Sequence, residues 1–209
     1  MLRREFMALL PVTLAAQSQR RTADEELKEL LAGNGRFVTG HTLNPRQRPA
    51  DFSKLASGQM PNAVIVGCAD SRVPPEILFD QGVGDLFVIR VAGNVVSGAG
   101  PIVKGSIAYA VAVLGAPLVM VLGHSECGAV KSALATKPQD LPGSIRDLVG
   151  LVDTGNERDL NRAIAANVRA GVAKLTTVEP TIRSYVESKR LKVVGAVYDL
   201  ASGKVTVIS

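Results

Sequence analysis

Apolar residues are distributed along this chain in two distinct ways. In Ala63–Gly67, in residues 86–91 and in residues 118–122 they run almost without interruption between polar or Pro/Gly boundaries. Short continuous runs of this kind are how strands buried on both faces of a parallel sheet read. Elsewhere the apolar positions recur at helical spacing. Thr22 followed by Glu25 forms a capping box, and Leu27, Leu30, Leu31, Phe37 and Val38 continue the period, which Gly33, Asn34 and Gly35 weaken. Residues 40–51, rich in Pro, Arg and Asn, are expected as a loop. Pro101 opens a helical pattern carried by Ile102, Ile107, Val111 and Leu114, which suits a crossover helix over 101–114. Further helices are expected over 144–152, 159–175 and 180–189, and the apolar runs 191–198 and 204–208 flank a turn at 199–203 like a closing hairpin. Strands alternating with helices predict an α/β fold with a mainly parallel β-sheet flanked by helices, in one domain over 22–209.

Composition narrows the function classes. A chain of 209 residues with 46% apolar and 21% charged residues can bury one sizeable core, and its 20 Gly and 11 Pro are scattered, which excludes collagen-like and disordered classes. Two Cys exclude a disulfide-rich scaffold. The net charge of +5 comes from 24 basic and 19 acidic residues that alternate rather than cluster, and there is no Trp. No nucleic-acid partner is therefore expected.

The first residues differ from the body. Arg3 and Arg4 precede an apolar run from Phe6 to Ala16 that ends among small residues, the three-part pattern of an export signal. The run is too short to cross a bilayer core of about 30 Å, so no stable membrane span is expected. Leu2-Arg3-Arg4-Glu5-Phe6-Met7 also resembles a twin-arginine signal. Residues 1–18 are expected to send the chain to the periplasm, the alternative being a frayed N-terminal helix of a cytoplasmic protein.

In open parallel sheets ligands collect at the carboxyl ends of strands. The first apolar run ends in Cys68-Ala69-Asp70-Ser71-Arg72 and the third in His124-Ser125-Glu126-Cys127. Both cysteines and one of the two histidines therefore occupy equivalent positions on two strands. Two thiolates, an imidazole and a carboxylate are ligands that Zn²⁺ takes at about 2.0–2.3 Å. Taken singly, each residue has an ordinary reading: the cysteines as small buried hydrophobes or as one disulfide, Asp70 as a helix cap, Arg72 as a surface charge.

Taken together, three segments carry a resemblance. Cys68-Ala69-Asp70-Ser71-Arg72-Val73-Pro74-Pro75-Glu76, the stretch from Gly84 to Asn94, and Gly123-His124-Ser125-Glu126-Cys127-Gly128 resemble the β-class carbonic anhydrases, and the likeness extends from about Leu27 to Tyr198. The resemblance implies that fold with an N-terminal helical arm, and reversible hydration of CO₂ to bicarbonate. It implies one Zn²⁺ per subunit on Cys68, His124 and Cys127, with Asp70 either filling the fourth position or drawn off it by Arg72 so that water enters. Two thiolates and a neutral imidazole cancel the charge of the ion, which then acidifies water less than a three-imidazole site does. Asp70 must therefore help to hold the nucleophile.

By the same resemblance Gln59, Phe87, Tyr109 and the Gly128 N–H line the substrate pocket, partly from a partner subunit in a homodimer or homotetramer. With no Trp, the tryptophan that helps form a regulatory bicarbonate pocket in some members is missing. Apart from His124 the chain has only His41, so buffer or water is expected to carry protons. The rival readings are a carbonyl sulfide or carbon disulfide hydrolase on the same scaffold, and a non-catalytic zinc-binding module.

Overall fold

The computed structural model describes residues 20–96, 101–135 and 140–208. The export signal expected over 1–18 lies outside them. Five strands form one sheet in the order β2-β1-β3-β4-β5: β1 (Ala63–Gly67), β2 (Leu86–Arg90), β3 (Leu118–His124), β4 (Lys192–Tyr198) and β5 (Val205–Val207). The first four are parallel, and β5 returns antiparallel to β4, as the hairpin-like ending predicts. Every residue of β1 and β3 is buried.

Alternation along these strands serves two cores. Val64, Val66, Val119 and Val121 face α4 (Pro101–Ala112), α7 (Leu160–Thr177) and α8 (Pro180–Glu187), meeting Ile107, Val168 and Ile182. Ile65, Met120 and Ala196 point the other way, onto Leu30 of α1 (Ala23–Val38) and onto Leu78 of α3 (Pro75–Leu78) with the Phe79 that follows it. The helix expected as an N-terminal arm thus packs on its own sheet, where full burial of a side chain such as Leu30 is worth about 1.5–3 kcal/mol.

Its Thr22–Glu25 capping box is present, but the helix does not weaken at Gly33-Asn34-Gly35; it continues to Val38. A Cβ on Gly33 would lie 1.8 Å from the Phe79 carbonyl oxygen, so the glycine is there for close approach rather than to end the helix. Asn34 donates to the carbonyls of Leu78 and Gly203 and accepts from Val205 N–H, which ties α1 to α3 and to the closing hairpin.

Several elements depart from the expected pattern. The stretch 40–51 is not all loop, because α2 (Pro49–Lys54) starts within it with Pro in its first turn. Neither the short α3 nor α5 (Gly128–Ala135) carries a readable amphipathic period, and a 3₁₀ turn (Ala92–Asn94) follows β2. The helix expected over 144–152 is α6, which runs Gly143–Val149.

β1 and β3 are neighbours, yet the chain leaves β1 toward α3 on one face and leaves β3 toward α5 and α7, the latter on the other face. Diverging loops at such a switch point open a crevice at the carboxyl ends of the two strands.

Candidate metal centre

Cys68 follows the last residue of β1, His124 is the last residue of β3, and Cys127 immediately precedes α5. Their ligand atoms all lie within 4.8 Å of one another, and all three residues are buried. Both cysteines are free, so the disulfide alternative is not realised. Around them pack Val130, Ala163 and Ile164, an apolar wall that excludes water.

Each ligand is aimed by groups of its own. His124 Nδ1 lies 2.9 Å from the Ser125 carbonyl, and facing an acceptor it must carry the hydrogen. Nε2 then presents its lone pair to the two sulfurs, and it is buried without a hydrogen-bond partner. An orphaned ring nitrogen beside two unbridged cysteines is a donor set that fits Zn²⁺.

Cys68 Sγ accepts the Gly93 N–H at 3.2 Å. Gly93 sits at φ 74°, in the left-handed region that glycine occupies without strain. The hydrogen bond from the Cys127 sulfur draws the Cys68 thiol well below its ordinary value, and with the N–H groups of Gly93 and Asp70 it outweighs burial. Cys127 is pushed up by the same shared proton and by burial, against the Val130 and Ala129 N–H groups at the start of α5. A divalent cation held by Cys68 and Cys127 would take the place of that proton and leave both sulfurs as thiolates.

Asp70 stands at the edge of this cluster. Its Oδ2 is 3.8 Å from His124 Nε2, while Arg72 holds both carboxylate oxygens: Nε to Oδ1 at 2.9 Å, Nη2 to Oδ2 at 2.8 Å, and the Arg72 backbone N–H to Oδ1 at 3.0 Å. This fork keeps the carboxyl well below the usual carboxylate range, against the opposing effect of burial. Gly128 begins α5 at the exposed side of the cluster.

The other expected pocket residues are not brought to the cluster within one chain. Gln59 precedes β1 and Phe87 lies near the start of β2, opposite Val64, so both belong to the amino ends of the strands. Tyr109 is on α4, 47% exposed. His41 also lies away from the cluster, in the loop whose Leu43 and Asn44 bond Asp80 before β2 begins.

A sequence profile of the family described as carbonic anhydrase matches residues 63–205. One of the two tetrameric β-carbonic anhydrases solved from Sordaria macrospora superposes with a TM-score of 0.70 at 28% identity, over 88% of this chain and 98% of that one. The chain belongs to the β-carbonic anhydrase family. Among curated relatives, the carbonic anhydrase of Mycolicibacterium smegmatis is 43% identical over 191 residues, 87% of this chain and 91% of that protein. Carbonic anhydrase 2 of Mycobacterium tuberculosis is 45% identical over 186 residues, 85% and 88% of the two chains. β-Carbonic anhydrases are zinc enzymes, and the Cys68–His124–Cys127 cluster suits that metal.

In this β-carbonic anhydrase the residue that motif spacing does not reveal at the mouth of the site is Arg90, at the end of β2. Its guanidinium donates to the Cys68 carbonyl at 3.0 Å and to the Asp70 carbonyl, bracing the loop that carries both a metal ligand and the carboxylate. The sequence signal for it is a single charge interrupting an otherwise apolar strand.

Proposed function

We propose that this chain catalyses the reversible hydration of carbon dioxide to bicarbonate and a proton, with one zinc ion per chain on Cys68, His124 and Cys127. The observation that carries this reading is the buried set of three donors beside a carboxylate that Arg72 holds at both oxygens. When bound, zinc would supply the Lewis acidity that helps a water lose a proton, less strongly than a three-imidazole site does.

The protein's own residues do the rest. Arg72 keeps Asp70 ionised and turned aside, so that its carboxylate would accept a hydrogen bond from the attacking water rather than bind the metal itself. Asp70 thereby fixes the lone pair that attacks carbon. The Gly128 N–H, at the start of α5, would bind a substrate oxygen. Val130, Ala163 and Ile164 keep the site dry enough for a small apolar substrate.

Stopped-flow CO₂ hydration at alkaline pH tests the reading. Turnover is expected to disappear with a zinc chelator and to return with added zinc; hydration indifferent to the chelator would overturn it. Arg72→Ala should keep its zinc while kcat/KM for CO₂ falls about 10–100-fold. Unchanged kinetics in that variant would remove the Asp70–Arg72 pair from the mechanism.

Assembly into at least a homodimer belongs to the same reading. Ile102 and Tyr109 on α4 are 74% and 47% exposed, and β2 is an edge strand. Gln59, Phe87 and Tyr109 reach a metal cluster only if a second copy brings one to them. Light scattering on the zinc-loaded protein is expected to give a dimer or tetramer, and a fully active monomer would refute this.

Export through a twin-arginine-like signal is inferred from residues 1–18 alone. A folded route would let the thiolates meet an oxidising compartment already on zinc. Fractionation after pulse-labelling should find a shortened chain in the periplasm; a full-length chain confined to the cytoplasm would refute export.

A further inference from the structure

One polar side chain inside the fold reaches the metal cluster through the backbone. Asn167 lies on α7, 5% exposed, on the stripe that also holds Ala163, Ile164, Val168, Gly171 and Leu175. An amide on such a stripe must satisfy both its ends. Its Nδ2 donates to the Gly93 carbonyl at 2.8 Å, and its Oδ1 accepts the Asp153 N–H at 3.1 Å. A backbone acceptor on one side and a backbone donor on the other fix which way the amide faces.

Gly93 is the residue whose N–H meets the Cys68 sulfur at 3.2 Å. Without a Cβ, its φ of 74° and ψ of 17° are not enforced by its own sterics. The restraint has to come from outside: from the sulfur at its N–H and from Asn167 at its C=O. We propose that Asn167 is a positioning residue of the metal centre, holding Gly93 so that its N–H stays on the Cys68 sulfur. This rests on the zinc reading above. An N–H on a thiolate draws charge from the sulfur, which matters where two thiolates already cancel the charge of the ion. A helix 74 residues away in sequence thus sets how strongly Cys68 donates to the metal.

The test compares the wild type with Asn167→Ala, and with Asn167→Asp at pH 9, which keeps the size and the Asp153 bond but sets an oxygen against the Gly93 carbonyl. Leu175→Ala, a core change on the same helix that does not touch the tether, is the control. Cobalt-substituted protein reports the thiolate-to-metal charge-transfer band, a chelator reports the rate of zinc loss, and urea unfolding reports stability.

The Asn167 variants are expected to shift the cobalt band and to lose zinc about 10–100-fold faster than the wild type. Leu175→Ala should lower the unfolding midpoint and leave band and release rate unchanged. Asn167 variants that behave like Leu175→Ala would overturn the inference and reduce Asn167 to a structural tether. A wild type with no thiolate-to-cobalt band would overturn the zinc reading itself, and the inference with it.

Discussion

Cys127→Ser is expected to leave the purified protein with less than about a tenth of the wild-type zinc, and to cut CO₂ hydration by at least about 100-fold. Changing groups that merely orient a metal ligand costs 10–100-fold, so losing a ligand sets that range as a floor. The position leaves no substitute. Cys127 is buried immediately before α5, with Val130 and Ala129 N–H groups turned on its sulfur and Cys68 sharing its proton. A serine there keeps those donors but offers a hydroxyl that does not ionise near neutral pH, and Zn²⁺ prefers sulfur and nitrogen over it.

Folding stability supplies an independent readout. A ligand that binds only the native state stabilises it by about 4 kcal/mol at 1,000 times its dissociation constant. The wild-type melting temperature should therefore climb with added zinc, and that of Cys127→Ser should stay flat. Metal content by elemental analysis and turnover by stopped flow complete the measurement. Full zinc occupancy with wild-type activity in this variant would remove Cys127 from the ligand set.

That site could be read from sequence because its three ligands lie in short segments at the ends of apolar runs. β1 and β3 are buried on both faces, so their side chains need no alternation and the strands stand out as unbroken hydrophobic stretches. Where the pattern failed, the local signal was absent. α5 opens on Gly128, and no ordinary capping residue precedes it; that place is taken by Cys127, whose sulfur serves the metal site.

Gly33-Asn34-Gly35 weakens the helical pattern in the sequence because glycine has low helix propensity. Gly33 is there for the Phe79 carbonyl, a contact 46 positions away that no local window contains. Arg90 and Asn167 were missed for a related reason. Both act on backbone carbonyls of other elements, and carbonyls have no residue type to recognise. What could have marked Asn167 is a lone amide on an apolar helical stripe.

The second large effect lies away from the metal, at Asp80, just beyond α3. Its side chain is 1% exposed, at a φ of 48°, and it accepts from three N–H groups: Leu43 N–H, shared between both oxygens, Asn44 N–H, and Arg36 Nε at 2.6 Å. It closes α1 and the loop after it onto the segment that enters β2. Asp80→Asn tolerates the left-handed backbone and keeps the volume, but it loses the charge opposite Arg36 and turns an NH₂ toward groups that donate. Breaking a buried pair costs about 3–5 kcal/mol; the low end applies, because the Arg36 side chain is still 24% exposed.

The pH dependence carries the sharper prediction. Burial pushes the Asp80 carboxyl up, but the N–H groups of Leu43 and Asn44 and the Arg36 guanidinium outweigh it and hold it below its ordinary value. A depressed carboxylate stabilises the fold above the unfolded-state pKa near 3.9, and that contribution fades as pH falls from there toward the folded value. The stability gap between wild type and Asp80→Asn, measured by urea unfolding, should be about 3 kcal/mol at pH 7 and should narrow steadily below about pH 4. Loss of metal at acid pH acts on both proteins alike and drops out of the difference. A gap of equal size at pH 3.5 and pH 7 would mean that the asparagine fails through shape or hydrogen bonding, and that the Asp80 charge contributes nothing to holding α1 against the sheet.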